Sequence, residues 1–296
     1  MALLKLILDL KRLHHWSINV WHGDHGWHDQ SDCIAKELQC WCAENSLNYF
    51  SDCTTKEKTK SEAAARNWRY EQLTKTAKML SSKDEANPCT HILTGHTGSD
   101  RAETLLLNLS RGSDITGISS LEESRILHTS IHLVRPLLGF NRGETALICK
   151  KMKLPIWVDP SNTNINLSRN KVREQVIPIL EDLHPGCSMR MASLAERLSH
   201  YREDQHAIVD LLLQAIKHSD EGLDLCRTTL SKLPTTARTT VLARWLKQKG
   251  VPVLSAAQLE ELSFKIGKNK APGCTHLANK WKISWLSESI RLEHSC

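Results

Sequence analysis

Long apolar runs are missing from this sequence of 296 residues. A membrane-spanning helix needs about 18 or more consecutive apolar residues, and no stretch comes near that length. The first ten residues are apolar, but they lack the basic leading segment and the small-residue cleavage site of a signal peptide. We therefore expect no contact with a membrane and interpret Met1 to Leu10 as a buried helix.

The CxxC pairs that are typical of zinc sites are also missing, although the chain has ten cysteines. Cys40 and Cys42 lie two apart on a predicted helix, so their side chains point to different faces. The spacing argues against a metal cluster made by protein ligands alone. Free thiols in a reducing cytoplasm are the simplest interpretation, which predicts a cytoplasmic protein.

The composition is that of an ordinary folded protein with an excess of positive charge. The chain is 40% hydrophobic and 24% charged, and its net charge is +6. A basic surface favours contact with a polyanion such as RNA, but charge alone is a weak indication. The length is sufficient for two domains.

Helical and strand patterns alternate in the first part of the chain. The predicted helices are Met1–Leu13, Ser31–Asn45, Ser61–Leu80, Asp100–Leu109, Asn141–Met152 and Leu167–Leu180, and the predicted strands are Ser17–Trp21, Leu47–Phe50 and His91–Thr94. Such alternation predicts an α/β fold, a parallel sheet with helices on both faces. The first helix has no N-cap residue and looks cut at its start.

Near His184 the pattern changes to long helical stretches, Ser188–His218 and Thr235–Lys249. The sequence therefore predicts a domain over residues 1–184 and a second, mainly helical domain over residues 185–296.

The segment from Thr94 to Thr104 joins a predicted strand end to a helix start, where backbone amides favour anions. Asp100 and Glu103 are three apart on that helix, so both carboxylates face one side and could hold a cationic amine together. An ordinary capped helix with acidic residues in its first turn would give the same pattern.

This stretch resembles the tRNA(Ile)-lysidine synthases, in which a His, one or two Asp, and Glu-Thr precede a leucine-rich helix and Arg-Gly-Ser. The matching residues form five separated blocks: His96 to Ser113; Glu62 to Tyr70; Arg135 to Leu138; Arg142 with Glu144; and Asp159-Pro160-Ser161-Asn162 followed by Arg169 to Arg173. The resemblance covers roughly Val20 to Leu180. It implies an adenine nucleotide alpha hydrolase-like fold whose first strand is missing from this chain.

The resemblance implies a ligase that uses ATP, with Mg²⁺ as part of the substrate complex, to join free L-lysine to the wobble cytidine of a tRNA(Ile) with a CAU anticodon. The product, lysidine, would form through an adenylated tRNA. A homodimer is left open.

The resemblance also implies site residues. Asp100 and Glu103 would hold lysine or magnesium, and His96 would be a polar contact or a proton acceptor, unless it is only a hydrogen-bonding spacer. The residues implied for ATP are Asp24, His25, Arg66 and Arg69. The residues implied for tRNA are Arg111, Arg169, Asn170 and Arg173, for which a solvated basic face is the alternative.

Two departures from the family pattern matter. Ser99-Asp100 stands where the family commonly has two aspartates, and Arg101 stands where it commonly has glutamine. The SGGxDS loop that grips the pyrophosphate of ATP is absent from the 296 residues. We therefore expect an upstream reading frame that encodes the loop, and we expect this chain alone not to make lysidine.

Two other functions stay open at this point. One is another tRNA-modifying enzyme of the same fold, such as a thiolase, although no cysteine lies between His96 and Arg111. The other is a truncated protein that binds tRNA without chemistry, which the missing loop favours.

Overall fold

A computed structural model describes residues 1–26, 31–55, 59, 61–157, 167–216 and 224–294. The chain divides into two compact units, Met1–Ser199 and His200–Cys296. The division falls inside a long helix that begins at Cys187. The domain boundary predicted at residue 184 stays a prediction.

Unit 1, residues 1–199, alternates helices and strands as the sequence predicts. Its elements are α1 (Ala2–His14), β1 (Asn19–Asp24), α2 (Ser31–Glu44), β2 (Asn48–Cys53), α3 (Glu62–Lys83), β3 (His91–Leu93), α4 (Gly98–Ser110), α5 (Ile115–Ile118), β4 (Ser124–His128), β5 (Ile131–Val134), α6 (Arg142–Lys151), α7 (Ser168–Lys171), a π-helical turn (Val172–Val176), α8 (Ile177–Leu183) and the start of α9 (Cys187–Ile216). The predicted α/β fold class is confirmed. On α2, Cys40 is exposed and Cys42 is buried, so the two thiols lie on different faces.

The strands of unit 1 form two sheets. β1 and β2 pair in parallel, from Asn19 opposite Asn48 to Asp24 opposite Cys53. The other sheet has the order β3-β5-β4, in which β3 and β5 are parallel and β4 is antiparallel. Within the described residues, β1 and β3 each pair with a strand on one side only.

The β4–β5 hairpin was not predicted, because its short strands are joined by Thr129 and Ser130 rather than by the Asn-Gly or Asp-Gly turn that marks a tight hairpin. The helix predicted over Leu167–Leu180 is present as an uninterrupted helical run over residues 168–183, in which the π-helical turn lies between α7 and α8.

The packed apolar cluster found among the described residues of unit 1 is small. It joins α3 to the three-stranded sheet and contains Ala77, Ile92, Ile131 and Leu133, and other buried apolar residues, such as Leu105, lie outside it. The interpretation of the first ten residues as a buried helix is wrong, since only Ala2 of α1 is buried. Leu13 is 73% exposed, because the apolar face of α1 is incompletely covered by the described residues.

Unit 2, residues 200–296, contains helices and an antiparallel sheet. Its elements after α9 are β6 (Asp224–Cys226), α10 (Arg227–Leu230), α11 (Thr235–Gln248), α12 (Ala256–Ile266), β7 (Gly273–His276), β8 (Trp281–Trp285) and β9 (Ser289–His294). The sheet has the order β6-β9-β8-β7, and every pairing in it is antiparallel. The predicted long helices are present, and the structure adds this four-stranded sheet to them. Among the described residues of the whole chain, every helix is too short or too polar to cross a bilayer.

Candidate functional site

The N-terminus of α4 brings the two predicted acidic residues to one face of a helix. Thr97 caps the helix and accepts a hydrogen bond from the backbone amide of Asp100. Oδ2 of Asp100 in turn accepts hydrogen bonds from the backbone amide and the hydroxyl of Thr97, at 2.8 and 2.7 Å. This reciprocal arrangement is a capping box. It occupies one oxygen of Asp100 and leaves Oδ1 for other partners.

Three arginines surround the carboxylates of Asp100 and Glu103. Glu103 is only 1% exposed, and Arg173 binds it through two nitrogens, with Nε 2.8 Å from Oε1 and Nη2 3.0 Å from Oε2. Arg169 reaches both acids, with Nε 2.8 Å from Glu103 Oε2 and Nη2 3.0 Å from Asp100 Oδ1. Arg142 Nη2 lies 3.2 Å from Asp100 Oδ1 and 3.3 Å from Glu103 Oε1. We call these five residues the acid–arginine cluster.

Close packing of α4 against α6 positions Arg142 in this cluster. The backbone amide of Gly98 donates to the carbonyl of Phe140 at 2.8 Å, and the amide of Arg142 donates to Ser99 Oγ at 3.1 Å. A Cβ atom on Gly98 would lie 2.8 Å from the carbonyl oxygen of Leu138. The residue before Ser99 must therefore be glycine for the two helices to begin side by side.

Arg169 and Arg173 come from a distant part of the chain. Arg169 lies on α7, and Arg173 lies in the π-helical turn that follows it. Such turns replace the regular i to i−4 pattern locally and are frequent at functional sites. Here the turn belongs to the segment that supplies two cations to Glu103, a residue 66 and 70 positions earlier in the chain.

Both carboxylates of the cluster are held in their charged form. Burial opposes ionisation of Glu103, but hydrogen bonds from Arg173 and Arg169 outweigh it and lower the pKa of that carboxyl. Burial likewise opposes ionisation of Asp100, but the Thr97 hydrogen bonds and the charges of Arg169 and Arg142 lower its pKa. The cluster therefore consists of fully charged groups at neutral pH.

His96 lies between β3 and α4, near this cluster. Its Nδ1 is 2.9 Å from the hydroxyl oxygen of Thr94. Burial, helped by the nearby charges of Arg135 and Arg169 and opposed by Asp100, lowers the pKa of His96 to about 4. The ring is neutral at pH 7, where it can donate or accept a hydrogen bond but is a weak proton acceptor.

The predicted ATP residues fall into a turn and a helix face. Asp24 ends β1, and its Oδ1 accepts a hydrogen bond from the amide of Gly26 at 2.8 Å, which defines a tight turn. His25 in that turn lies 3.1 Å, through Nε2, from Nη2 of Arg69. The structure thus brings His25 and Arg69 together, whereas Arg66, one helical turn earlier, lies over the Tyr70 ring at 5.6 Å.

Other predicted residues lie elsewhere. Arg111 caps the opposite end of α4, about 16 Å along the helix axis from Asp100 at 1.5 Å per residue. Asn170 is buried on α7. The Asp159-Pro160-Ser161-Asn162 block lies outside the described residues.

Three residues of the matching blocks had no predicted role: Arg142, Arg135 and Glu62. Arg142 belongs to the acid–arginine cluster, and Glu62 Oε1 lies 3.5 Å from Arg169 Nη1. Arg135 is buried and donates to the backbone carbonyl of Glu122. Their presence in matching blocks was the signal that could have identified them.

Arg101, the departure from the family pattern, points away from the cluster. It is buried, donates to the carbonyl of Leu121 and pairs with Glu196. Its role is structural.

Comparisons with known proteins define the class first. A family model described as a PP-loop domain matches residues 1–180, and one described as the TilS substrate binding domain matches residues 225–293. A solved U34-tRNA thiolase from Methanococcus maripaludis, with a 4Fe-4S cluster, has a TM-score of 0.50 and 17% identity over 67% of this chain and 69% of its own. That likeness concerns the fold alone. The fold is that of a PP-loop, ATP-binding protein.

The particular family follows from closer relatives. The tRNA(Ile)-lysidine synthase of Prochlorococcus marinus is 51% identical over 292 residues, which are 99% of this chain and 86% of the relative. That of Parasynechococcus marenigrum is 44% identical over 99% of this chain and 85% of its own length. This chain belongs to the tRNA(Ile)-lysidine synthase family, whose members are ligases, and the resemblance stated from the sequence is confirmed.

Proposed function

We propose that this protein joins lysine to the wobble cytidine of tRNA(Ile), which carries a CAU anticodon, to form lysidine. The observation that carries the proposal is the pair of ionised carboxylates on one face of α4, in a chain that matches lysidine synthases over nearly its whole length. A paired carboxylate site is suited to a substrate that brings a positive charge, as the ammonium of lysine does.

The proposed reaction has two steps, adenylation of the cytidine and displacement of AMP by lysine. The 2-carbonyl oxygen of cytidine attacks the α-phosphorus of ATP, and pyrophosphate leaves. The side-chain amine of lysine, after losing a proton, then attacks C2, and AMP leaves with the former carbonyl oxygen. Adenylation is needed because an amide-like oxygen is a poor leaving group until it is bound to phosphate.

The contacts of Glu103 refine the proposed binding of lysine. Both of its oxygens accept hydrogen bonds from Arg169 and Arg173, so an ammonium group would have to replace a guanidinium there. Oδ1 of Asp100 also faces guanidinium groups, those of Arg169 and Arg142, but Asp100 is less deeply buried than Glu103 and is easier for an ammonium group to reach. We infer that Asp100 contacts the amine and that Glu103 acts mainly by holding the arginines in position.

Those arginines are also the residues proposed to bind tRNA. If Arg169 and Arg173 turn toward phosphates, Glu103 loses their hydrogen bonds, keeps Arg142 at 3.3 Å and becomes available to a further cation. Binding of tRNA would then prepare the site for lysine. Asn170 would support this segment, and Arg111, at the far end of α4, would contact tRNA separately.

His96 is better suited to a polar contact than to proton transfer. A group with a pKa of about 4 has little tendency to take a proton from a lysine ammonium, whose pKa is ordinarily near 10. We therefore propose that the neutral ring hydrogen-bonds a substrate.

For ATP we propose the turn at Asp24 and His25 together with Arg66 and Arg69. His25 contacts Arg69 at the end of a parallel strand, where such folds bind nucleotides, and Arg66 lies one helical turn earlier on α3. Among the described residues, no group of three acidic, histidine or cysteine side chains could hold a metal ion. The oxygens of Asp100 and Glu103 face guanidinium groups, which leaves them poorly placed to bind a metal ion. We propose that magnesium arrives bound to ATP. We place the reaction in the cytoplasm, and a homodimer remains a proposal.

Binding of tRNA without chemistry is the second candidate. The observation that favours it is the absence of an SGGxDS sequence from the 296 residues, because a glycine-rich loop aims several backbone amides at a triphosphate. Thiolation is disfavoured, since no cysteine lies between His96 and Arg111.

Incorporation of labelled lysine into tRNA(Ile), measured together with tRNA binding, separates the two candidates. The 296-residue chain is compared with a version that carries an SGGxDS loop at its N-terminus, and we expect incorporation from the second only. Incorporation by the unextended chain would show that another element binds ATP. Binding by both versions with incorporation by neither would favour the second candidate.

In the active version, Glu103→Gln should lower lysine incorporation at least tenfold while changing tRNA affinity much less, because it removes negative charge from the buried cluster and takes no positive charge from the residues proposed to bind tRNA. Glu44→Gln, at an exposed position on α2, is the control. Normal incorporation by the Glu103 variant would reduce this residue to a structural role.

A further inference from the structure

A groove lies between α3 and β4, away from the acid–arginine cluster. It encloses about 400 Å³. Its lining residues are Tyr70, Glu71, Thr74, Lys75, Lys78 and Leu127. No residue proposed above for lysine or ATP lines this groove.

Positive charge is concentrated around the groove. The guanidinium carbon of Arg125 lies 4.9 Å from the centre of the Tyr70 ring, and that of Arg66 lies 5.6 Å from it. Burial opposes ionisation of the Tyr70 hydroxyl, but the nearby charges of Arg66, Arg135 and Arg125 lower its pKa. Lys78 lies about two helical turns after Tyr70 on α3 and is exposed.

This charge is largely uncompensated. Lys75 pairs with Glu71, at 3.1 Å between Nζ and Oε1. Within the described part of the chain, no carboxylate forms an ion pair with Lys78, Arg66, Arg125 or Arg135. In the acid–arginine cluster, by contrast, every arginine has an acidic partner. Cations that lack an acidic partner and border an open groove are available to an anion from outside.

We propose that this groove binds the phosphodiester backbone of tRNA. The inference deepens the function proposed above and rests on it. Because the face of the Tyr70 ring is covered by guanidinium groups, the groove would bind phosphates by charge rather than bases by stacking.

The test measures affinity for an unmodified tRNA(Ile) transcript over a salt titration, using the whole chain. We expect Lys78→Glu and Arg125→Gln each to weaken binding about tenfold near physiological salt, and each to reduce the slope of log affinity against log salt by about 1. Lys36→Glu, at an exposed position on α2, makes the same charge change as Lys78→Glu outside the groove and should alter affinity less than about twofold.

The outcomes are distinguishable. Equal weakening by Lys78→Glu and Lys36→Glu would mean that only the net charge of the protein matters. It would overturn the proposal that the groove binds tRNA. Unchanged binding by Lys78→Glu, which is exposed and should fold normally, would overturn it as well. Failure of the unaltered chain to bind the transcript would overturn the proposed function, and this inference with it.

Discussion

The two units bury different kinds of side chain. Unit 2 has a cluster of 16 buried apolar residues, drawn mainly from α9, α11, α12 and its sheet, although it is about half as long as unit 1. Among the described residues of unit 1, the corresponding cluster has four members, and other buried apolar residues, such as Leu105 and Leu137, lie outside it. The most elaborate internal network described in unit 1 is the acid–arginine cluster. Buried arginines occur in unit 2 as well, but Arg227 donates there to four backbone carbonyls and not to an acid.

Apolar burial and ion pairs respond differently to pH and to ligands. Apolar burial is insensitive to pH and ligands, so a unit built on it keeps one structure. Ion pairs between charged groups exchange partners when a phosphate or an ammonium arrives, and they respond to pH. We therefore expect the structure of unit 1 to respond to pH and ligands more than that of unit 2.

The largest expected effect concerns the core of unit 2. Leu242→Ala removes a fully buried side chain of α11 and should destabilise unit 2 by about 2 to 5 kcal/mol, through lost apolar burial and the cavity that remains. Leu286→Ala, at a position that is 61% exposed, is the matched control and should have little effect. Hydrogen exchange resolved by peptide measures each unit separately. Similar losses for both variants would contradict the picture of a tightly packed core.

The next effect concerns acid sensitivity of unit 1. The pKa of His96 in the folded protein, about 4, lies below its ordinary 6.5, so the unfolded chain binds the proton more readily. The stability this shift contributes is fully present above pH 6.5 and is lost as the pH falls toward 4, by up to about 3 kcal/mol. The lowered pKa values of Asp100 and Glu103 extend the loss to still lower pH.

Hydrogen exchange between pH 7 and pH 4 should therefore show unit 1 opening before unit 2. In unit 2, His206 and Asp210 have pKa values lowered in the same direction, so it weakens too, but its apolar core remains. His96→Gln should flatten the response of unit 1 between pH 6.5 and 4, whereas the exposed His91→Gln should not. Equal acid sensitivity of the two units would remove the proposed contrast.

A smaller effect concerns the close contact of α4 and α6. Gly98→Ala places a methyl group 2.8 Å from the carbonyl oxygen of Leu138 and 2.7 Å from Cε of Met189, which should cost about 1 to 3 kcal/mol. It should also displace Arg142 from the acids. Gly139→Ala, where nothing lies within 4 Å of the new atom, is the control. A fully stable Gly98 variant would show that the two helices can move apart freely.

Much of the fold could be predicted, because it depends on local patterns. The helices α2, α3, α4 and α6 lie within a few residues of their predicted bounds, since apolar spacing and capping residues act over one or two turns. Short strands of mixed composition were harder: the hairpin of β4 and β5 and the sheet of unit 2 carry no local turn signal strong enough to reveal their pairing.

The sequence by itself determined the family, through motif blocks that persist in order, and it determined that Asp100 and Glu103 share a helix face, because their separation fixes that geometry. Only the tertiary structure decided how those acids are used. It divides Asp100 between a helix cap and two arginines, and it buries Glu103 against guanidinium groups that come from 39 to 70 residues away. The spacing of residues along a chain predicts which side chains share a face of one element. Packing between elements decides which charged groups come into contact, and a local sequence pattern does not predict those contacts.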